Sequence, residues 1–405
     1  MNKSKKWDDY KSWSFLEPGV DYEQYPLESQ LSRFPEYDFK LSKSQEERFQ
    51  ELIEKNMIID IHEHLNVFPM EGISRPRTRV FQAYEGLAYS GLDAVISNGG
   101  LTHPGPDSSL NFLGMSQADY AHQSLVIPAL KVDDVVRAHR EGRVAVALSF
   151  EHLNGIGYNI DMVDLYFGLG LRACGLVYSY SNSVGTGGDE HEDGGLTDFG
   201  FDVVRRMNKL GIIVDVAHCS DLTAKDAAEG SQKPIMASHV GSRALMYNKR
   251  MLPDPVLQAI AERGGLVGVE AAGFAPRTKN HPEATIECTL DHIKYLIDLL
   301  GVDHVGGGPD TFYGDHALMY KESGESRRPR PSDSRQRRAD IPPRLDFYEM
   351  RAKTPPEHPH VQGLENPGEF INIAKGLIRD GYSDGEIAKV MGLNALRMMK
   401  DCWPS

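Results

Sequence analysis

The sequence predicts an α/β fold, a (β/α)8 TIM barrel, on three observations. Eight short apolar runs rich in β-branched residues recur along the chain, amphipathic helical segments alternate with them over roughly 350 residues, and no G-x-G-x-x-G follows the first run. That last absence argues against a doubly wound open sheet, the competing α/β architecture.

The runs, in order, are MIIDI (57–61), LDAVIS (92–97), VAVALSF (144–150), RACGLVYS (172–179), GIIVDVA (211–217), PIMAS (234–238), GLVGVE (265–270) and DHVGGG (303–308). Each is short, apolar and bounded by loop residues, as a strand buried on both faces should be. Helical spacing marks SQEERFQELIEKN (44–56), VDDVVRAHREG (132–142), DFGFDVVRRMNKLG (198–211), PDPVLQAIAERGG (253–265) and TLDHIKYLIDLLG (289–301). Residues 45–405 are therefore assigned to the barrel, and 1–44, rich in charge, Tyr and Pro, to an N-terminal arm packed on it. Two insertions interrupt the pattern: a Gly- and acid-rich loop at 185–195, and a loop at 325–344 with seven arginines. Both read as solvated surface; long loops at this end of a barrel also serve as lids or subunit contacts.

Composition narrows the function classes. A formal net charge of −14 argues against nucleic acid and against an acidic membrane surface as partners. Cys174, Cys219, Cys288 and Cys402 form no C-x-x-C pair and no disulfide framework. MNKSKKWDDYKSWSF lacks the apolar core of a signal peptide, and no run of 18 apolar residues exists to span a membrane. The expectation is a cytoplasmic protein.

The strand ends carry the chemistry. The first run leads into Asp60-Ile61-His62-Glu63-His64, where residues two apart share a face and both imidazoles can meet one metal. The third ends at Glu151-His152, the fifth at His218, the sixth at His239 and the eighth at Asp310. Barrel active sites are built from these carboxyl ends. Imidazole and carboxylate donors without thiolate suit two divalent metal ions, zinc foremost, with a position open for water. Spacing does not decide whether Glu151 or His152 faces the centre, nor whether Asp310 caps a turn or moves a proton. His103, His122, His139, His292 and His304 read as surface residues.

These residues resemble the membrane dipeptidase (renal dipeptidase) family of zinc metallopeptidases, over about residues 56 to 400. The likeness is most specific at LTDFGFDVVRRMNKLGIIVDVAHCS (196–220) and continues through KPIMASHVGSRAL (233–245), RMLPDPVL (250–257), HVGGGPDTF (304–312) and GYSDGEIAKVMGLNALRMM (381–399). It implies a binuclear zinc centre with Glu151 bridging, His62 and His64 on one ion, and His218 and His239 on the other. A metal-bridging hydroxide would attack a small amide, of dipeptide or N-acyl amino acid type. Asp310 would move the proton, and Arg250 would pair with a substrate carboxylate.

This is a divergent member in two respects. The family's usual H-x-D reads His62-Glu63-His64 here, which removes a negative charge from the centre. The strand-end segment in which dipeptidases carry a substrate-contacting histidine reads VYSYSNSVGTGG (177–188), leaving Tyr178, Tyr180 and Asn182 as candidate donors, with His152 or His191 as substitutes from other loops. Glu270, at the end of the seventh run, is a further oddity. Alternatives therefore stay open: hydrolysis of a lactam, lactone or modified dipeptide, a metal-dependent decarboxylase or other lyase, or a non-catalytic metal-containing binding protein. The expected partners are a small carboxylate-bearing substrate and further copies of the chain, as a homodimer or higher homo-oligomer.

Overall fold

Parallel strands buried on both faces require helices outside and side chains inside. The computed structural model, which describes residues 5–32, 34–67, 79–99, 105–272, 276–313 and 360–405, shows this arrangement. The eight runs hold eight strands: β1 (Ile59–Val67), β2 (Ala94–Gly99), β3 (Val144–Phe150), β4 (Leu171–Gly175), β5 (Ile213–Asp215), β6 (Met236–Val240), β7 (Leu266–Val269) and β8 (Val305–Gly307). Spatial order follows chain order, and every neighbouring pair is parallel. Closure is made in two pieces. β8 pairs with β7, and just downstream the short β9 (Phe312–Tyr313) pairs with β1, His64 lying opposite Phe312.

The expected helices occur at Lys43–Lys55, Val132–Glu141, Asp198–Leu210, Asp254–Glu262 and Ile286–Leu300. Ser42 starts the first with a reciprocal capping box, and Thr197 caps the third through Gly200 N. Helices at Pro106–Tyr120, Asp161–Gly168 and Asp221–Gly230 were not singled out by pattern. In the first of these, buried Phe112, Leu113 and Tyr120 alternate with buried Ser116 and Asp119, which blurs the apolar stripe.

Two cores follow from strand alternation. Ile59, Ile61, Ile96, Ile213, Met236 and Leu266 face inward and close on Met398, Met399 and Trp403 of the C-terminal segment, which plugs the amino-terminal end. Their opposite-parity neighbours pack outward against the helices. Each buried isoleucine contributes about 1.5–3 kcal/mol relative to exposure.

The N-terminal residues lie against the barrel. Lys5 Nζ reaches Asp93 at 2.5 Å with both side chains buried, and Asp119 accepts from Tyr10, Ser12, Trp13 and Tyr84. In the 185–195 loop, Asp193 accepts from Ser220 Oγ and Leu222 N, and Gly188 N donates to His218 O, so this insertion is tied to the strand ends. The arginine-rich 325–344 insertion lies outside the described residues. The four cysteines are buried free thiols, and no described helix is long and apolar enough to cross a membrane.

Candidate metal centre

The inward parity of β1 breaks at the point where it matters. Ile59 and Ile61 face the inner core, so simple alternation would turn His62 away from it. The pairing register with β2 shifts between Asp60 and Glu63, and this irregularity brings His62 to the centre together with His64. A second shift, between Ala237 and Val240 on β6, accompanies His239.

Beyond the strand ends, the backbone itself aims the side chains. Ser179, His218 and Asp310 hold φ of 59°, 65° and 59°, in the left-handed region that glycine favours. Each costs of order 1–3 kcal/mol, a strain that persists only where neighbours over-determine it. Close strand approach at this level depends on Gly175 and Gly308. A Cβ on these residues would lie 2.0 Å from Glu151 O and 2.1 Å from Ser238 O.

The six ligand-type residues converge. Three groups bring one donor atom each to within 4.8 Å of one another: His62, His64 and Glu151; Glu151, His218 and His239; and His62, His239 and Asp310. Glu151 divides its oxygens, Oε1 lying 3.2 Å from His64 Nε2 and Oε2 3.3 Å from His218 Nε2. Asp310 Oδ1 lies 3.1 Å from His64 Nε2 and 3.4 Å from His62 Nε2. His218 and His239 face each other Nε2 to Nε2 at 3.1 Å. Glu151, not His152, thus faces the centre.

Supporting groups set the tautomers. Ser238 Oγ donates to Asp215 Oδ2 at 2.5 Å, and lies 2.6 Å from His239 Nδ1 and 3.1 Å from His62 Nδ1. With its proton on Asp215, that oxygen accepts from His239 Nδ1, leaving the His239 Nε2 lone pair aimed inward, while His62 Nδ1 is shared between Ser238 Oγ and Asn98 Nδ2, 2.8 Å away. His64 Nδ1 lies 3.2 Å from the Asn98 carbonyl, which does the same for His64. Asp215, Ser238 and Asn98 were not identified from sequence. The available signal was a polar or charged residue inside each apolar run.

Electrostatics favour the neutral, ligand form at His218 and His239, whereas the adjacent carboxylates favour the cation at His64. Burial, reinforced by the nearby Arg250 charge, lowers His218 to about 4. Burial, with His62 and Arg250, holds His239 well below its ordinary value. At His64 burial opposes the cation, but hydrogen bonds to Asp310 and Glu151 raise it to about 10. Glu151 and Asp310 stay below the usual carboxylate range despite burial, because imidazoles surround them. His62 Nε2 and Glu151 Oε1 are buried without a hydrogen-bond partner among the described residues. Facing lone pairs, unpartnered buried donors and two carboxylates are what a divalent cation fits.

Beside the cluster, Ser179, Gly188, Asp189, His218, Lys249 and Arg250 line a small open pocket. Arg250 Nη2 donates to His239 O at 2.6 Å and lies 3.3 Å from Glu270 Oε2. Tyr178 packs on the His218 ring at 4.2 Å between centroids, whereas Tyr180 is 45% exposed. Asn182 commits its amide to the loop: Nδ2 donates to Asn154 and Leu176, and Oδ1 accepts from Val184 N and Gly185 N. His152 is mostly buried and accepts from Asn154 N, while His191 is exposed. His292, expected at the surface, is fully buried and accepts from Ser242 N, its helix being packed on more than one side.

The sequence model of the family described as "Membrane dipeptidase (Peptidase family M19)" matches residues 114–319, about half the chain. Dipeptidase tcpJ of Claviceps purpurea is 29% identical over 279 residues, covering 67% of this chain and 54% of that protein. Dipeptidase aclJ of Aspergillus oryzae is 31% identical over 295 residues, covering 70% and 60%. The chain thus spans a little over half the length of these two relatives. The crystal structure of an amidohydrolase from Pseudomonas aeruginosa superposes with a TM-score of 0.72 at 26% identity, covering 88% of this chain and 99% of that one.

Proposed function

Since the chain belongs to the membrane dipeptidase family of metallopeptidases, we propose that it is a binuclear metallohydrolase cleaving a small amide, of dipeptide or N-acyl amino acid type. The observation that carries this reading is the division of Glu151, one oxygen toward His64 and the other toward His218. A carboxylate between two donor groups is the arrangement that bridges two ions. His62 and His64 would hold one ion and His218 and His239 the other, with zinc the ion best matched to neutral imidazoles and carboxylates.

When bound, two such ions supply Lewis acidity toward the scissile carbonyl and a nucleophile at neutral pH. The chain's own groups do the rest. Asp310, the most exposed of the six residues with a side chain 15% exposed, is placed to accept a proton and return it to the leaving amine. Arg250 presents a planar guanidinium to a substrate carboxylate in the adjoining pocket. Tyr178, against His218, is the nearer of the two tyrosines and the better placed to contact the substrate.

Glu270 makes Arg250 unusual. Burial raises this carboxyl to about 8, although Arg250 pulls it down. Below that value Glu270 keeps its proton and the guanidinium charge is available to an anionic substrate. Above it the ionised Glu270 competes for Arg250. The KM of a carboxylate-bearing substrate should therefore rise as the pH passes about 8 and stay flat in Glu270→Gln, measured by steady-state kinetics from pH 6 to 9. A rise retained in the variant assigns the titration to another group.

The engagement of Arg250 by Glu270 and by His239 O also favours a second reading, hydrolysis of a small lactam or lactone that offers no carboxylate. A panel of L,L- and L,D-dipeptides, N-acyl amino acids, lactams and lactones, assayed with metal-loaded protein, separates the two. Amine release from the first two classes supports the leading reading. Turnover confined to the cyclic substrates replaces it, and silence across the panel from protein that retains metal rejects both.

A further inference from the structure

We infer that Glu63 is a positioning residue for Asp310, acting through Thr311; this rests on the reading of Asp310 as the proton-transfer group. Glu63 stands between two metal-ligand candidates on β1, yet its carboxylate engages neither of them in a hydrogen bond among the described residues. It is fully buried; Thr311, across the barrel seam, engages both of its oxygens, and the buried Asp60 carboxyl lies beside the same group. Thr311 N donates to Oε2 at 2.8 Å, and Thr311 Oγ1 lies 2.9 Å from each carboxylate oxygen.

Thr311 directly follows Asp310, whose φ of 59° lies in the left-handed region. Three contacts bracket that turn: Asp310 N to His62 O at 3.3 Å, Thr311 N to Glu63 Oε2 at 2.8 Å, and His64 N to Thr311 O at 3.2 Å. The first and third join backbone to backbone. The middle one is the shortest and the only one made by a side chain, so residue 63 governs how firmly the turn is held. Its effect lies on the geometry of Asp310, since Oδ1 must stay beside His62 and His64 to meet a reacting proton. Displacements near 1 Å at such a group cost up to about 10²-fold in rate.

The plainer alternative is that Glu63 only satisfies a buried threonine and helps to close the barrel. A double-mutant cycle separates the two, because a residue acting through Asp310 has nothing left to position once Asp310 has lost its proton-transfer function. Glu63→Gln keeps the size but leaves a single acceptor where Thr311 now uses two oxygens and Asp60 lies beside them. The expected result is a fall in kcat of about 10- to 100-fold with KM and metal content unchanged. The same substitution in an Asp310→Asn background should change kcat little. Thr311→Val, which removes the hydroxyl and keeps the backbone bond, should give a smaller fall with the same non-additivity, and carries the test if Glu63→Gln does not fold. Equal loss in both backgrounds, or loss of metal instead of kcat, overturns the role of Glu63. Full activity of Asp310→Asn alone is a different failure, and removes the reading of Asp310 first.

Discussion

Glu151→Ala should lose metal and turnover together. Glu151, like His62 and His239, belongs to two of the three donor groups, and its two oxygens point at different imidazoles. No other described side chain takes that position, so the alanine variant leaves four imidazoles and one carboxylate to hold two doubly charged ions. The lost charge stabilisation amounts to several kcal/mol, and each ~1.4 kcal/mol is a factor of ten, giving a fall in turnover of about 10³-fold or more. Metal analysis of the purified variant beside its amidase rate checks this. A variant that still holds two ions, or keeps near-normal turnover, would show that Glu151 does not bridge.

Asp310→Asn should separate the two properties that Glu151→Ala removes together. Asparagine is isosteric and retains an oxygen where Oδ1 now lies, 3.1 Å from His64 and 3.4 Å from His62. It cannot take up a proton at neutral pH. The expected loss is the general acid–base contribution, about 10²- to 10⁴-fold in kcat, with KM and metal content little changed. Loss of metal instead would make Asp310 a ligand before anything else. Unchanged kcat would move the proton transfer to another group.

The barrel was legible because parallel strands buried on both faces leave apolar runs that few other structures produce. VAVALSF became β3 with its full length, Val144–Phe150. The run 211–217 shrank to Ile213–Asp215, since the chain turns before the left-handed His218. The ligand histidines were legible by recurrence: a single strand-end histidine is more often structural, but His62 and His64 lie two apart and His218 and His239 end successive runs. What pattern alone could not supply was parity. Counted from Ile59 and Ile61, His62 falls on the wrong face, and only the register shift on β1, a product of pairing with β2, corrects it.

Tertiary partners were equally invisible. Asp215 and Ser238 sit on different strands and orient His62 and His239 only once those strands are neighbours. Asn182, a candidate donor from its place after β4, is consumed by its own loop. Glu270 and Arg250 meet across the end of the barrel. That pairing sets a buried carboxyl beside the arginine expected to receive a substrate carboxylate.

The measurement that tests the binuclear reading most directly is metal stoichiometry set against turnover: the metal-free protein titrated with zinc, with bound metal and amide hydrolysis followed in the same samples. Two ions per chain, with turnover rising as the second is taken up, is the expected result. One tightly held ion with full turnover, or with none until a different chemistry is offered, would contradict it and favour a mononuclear lyase on the same barrel.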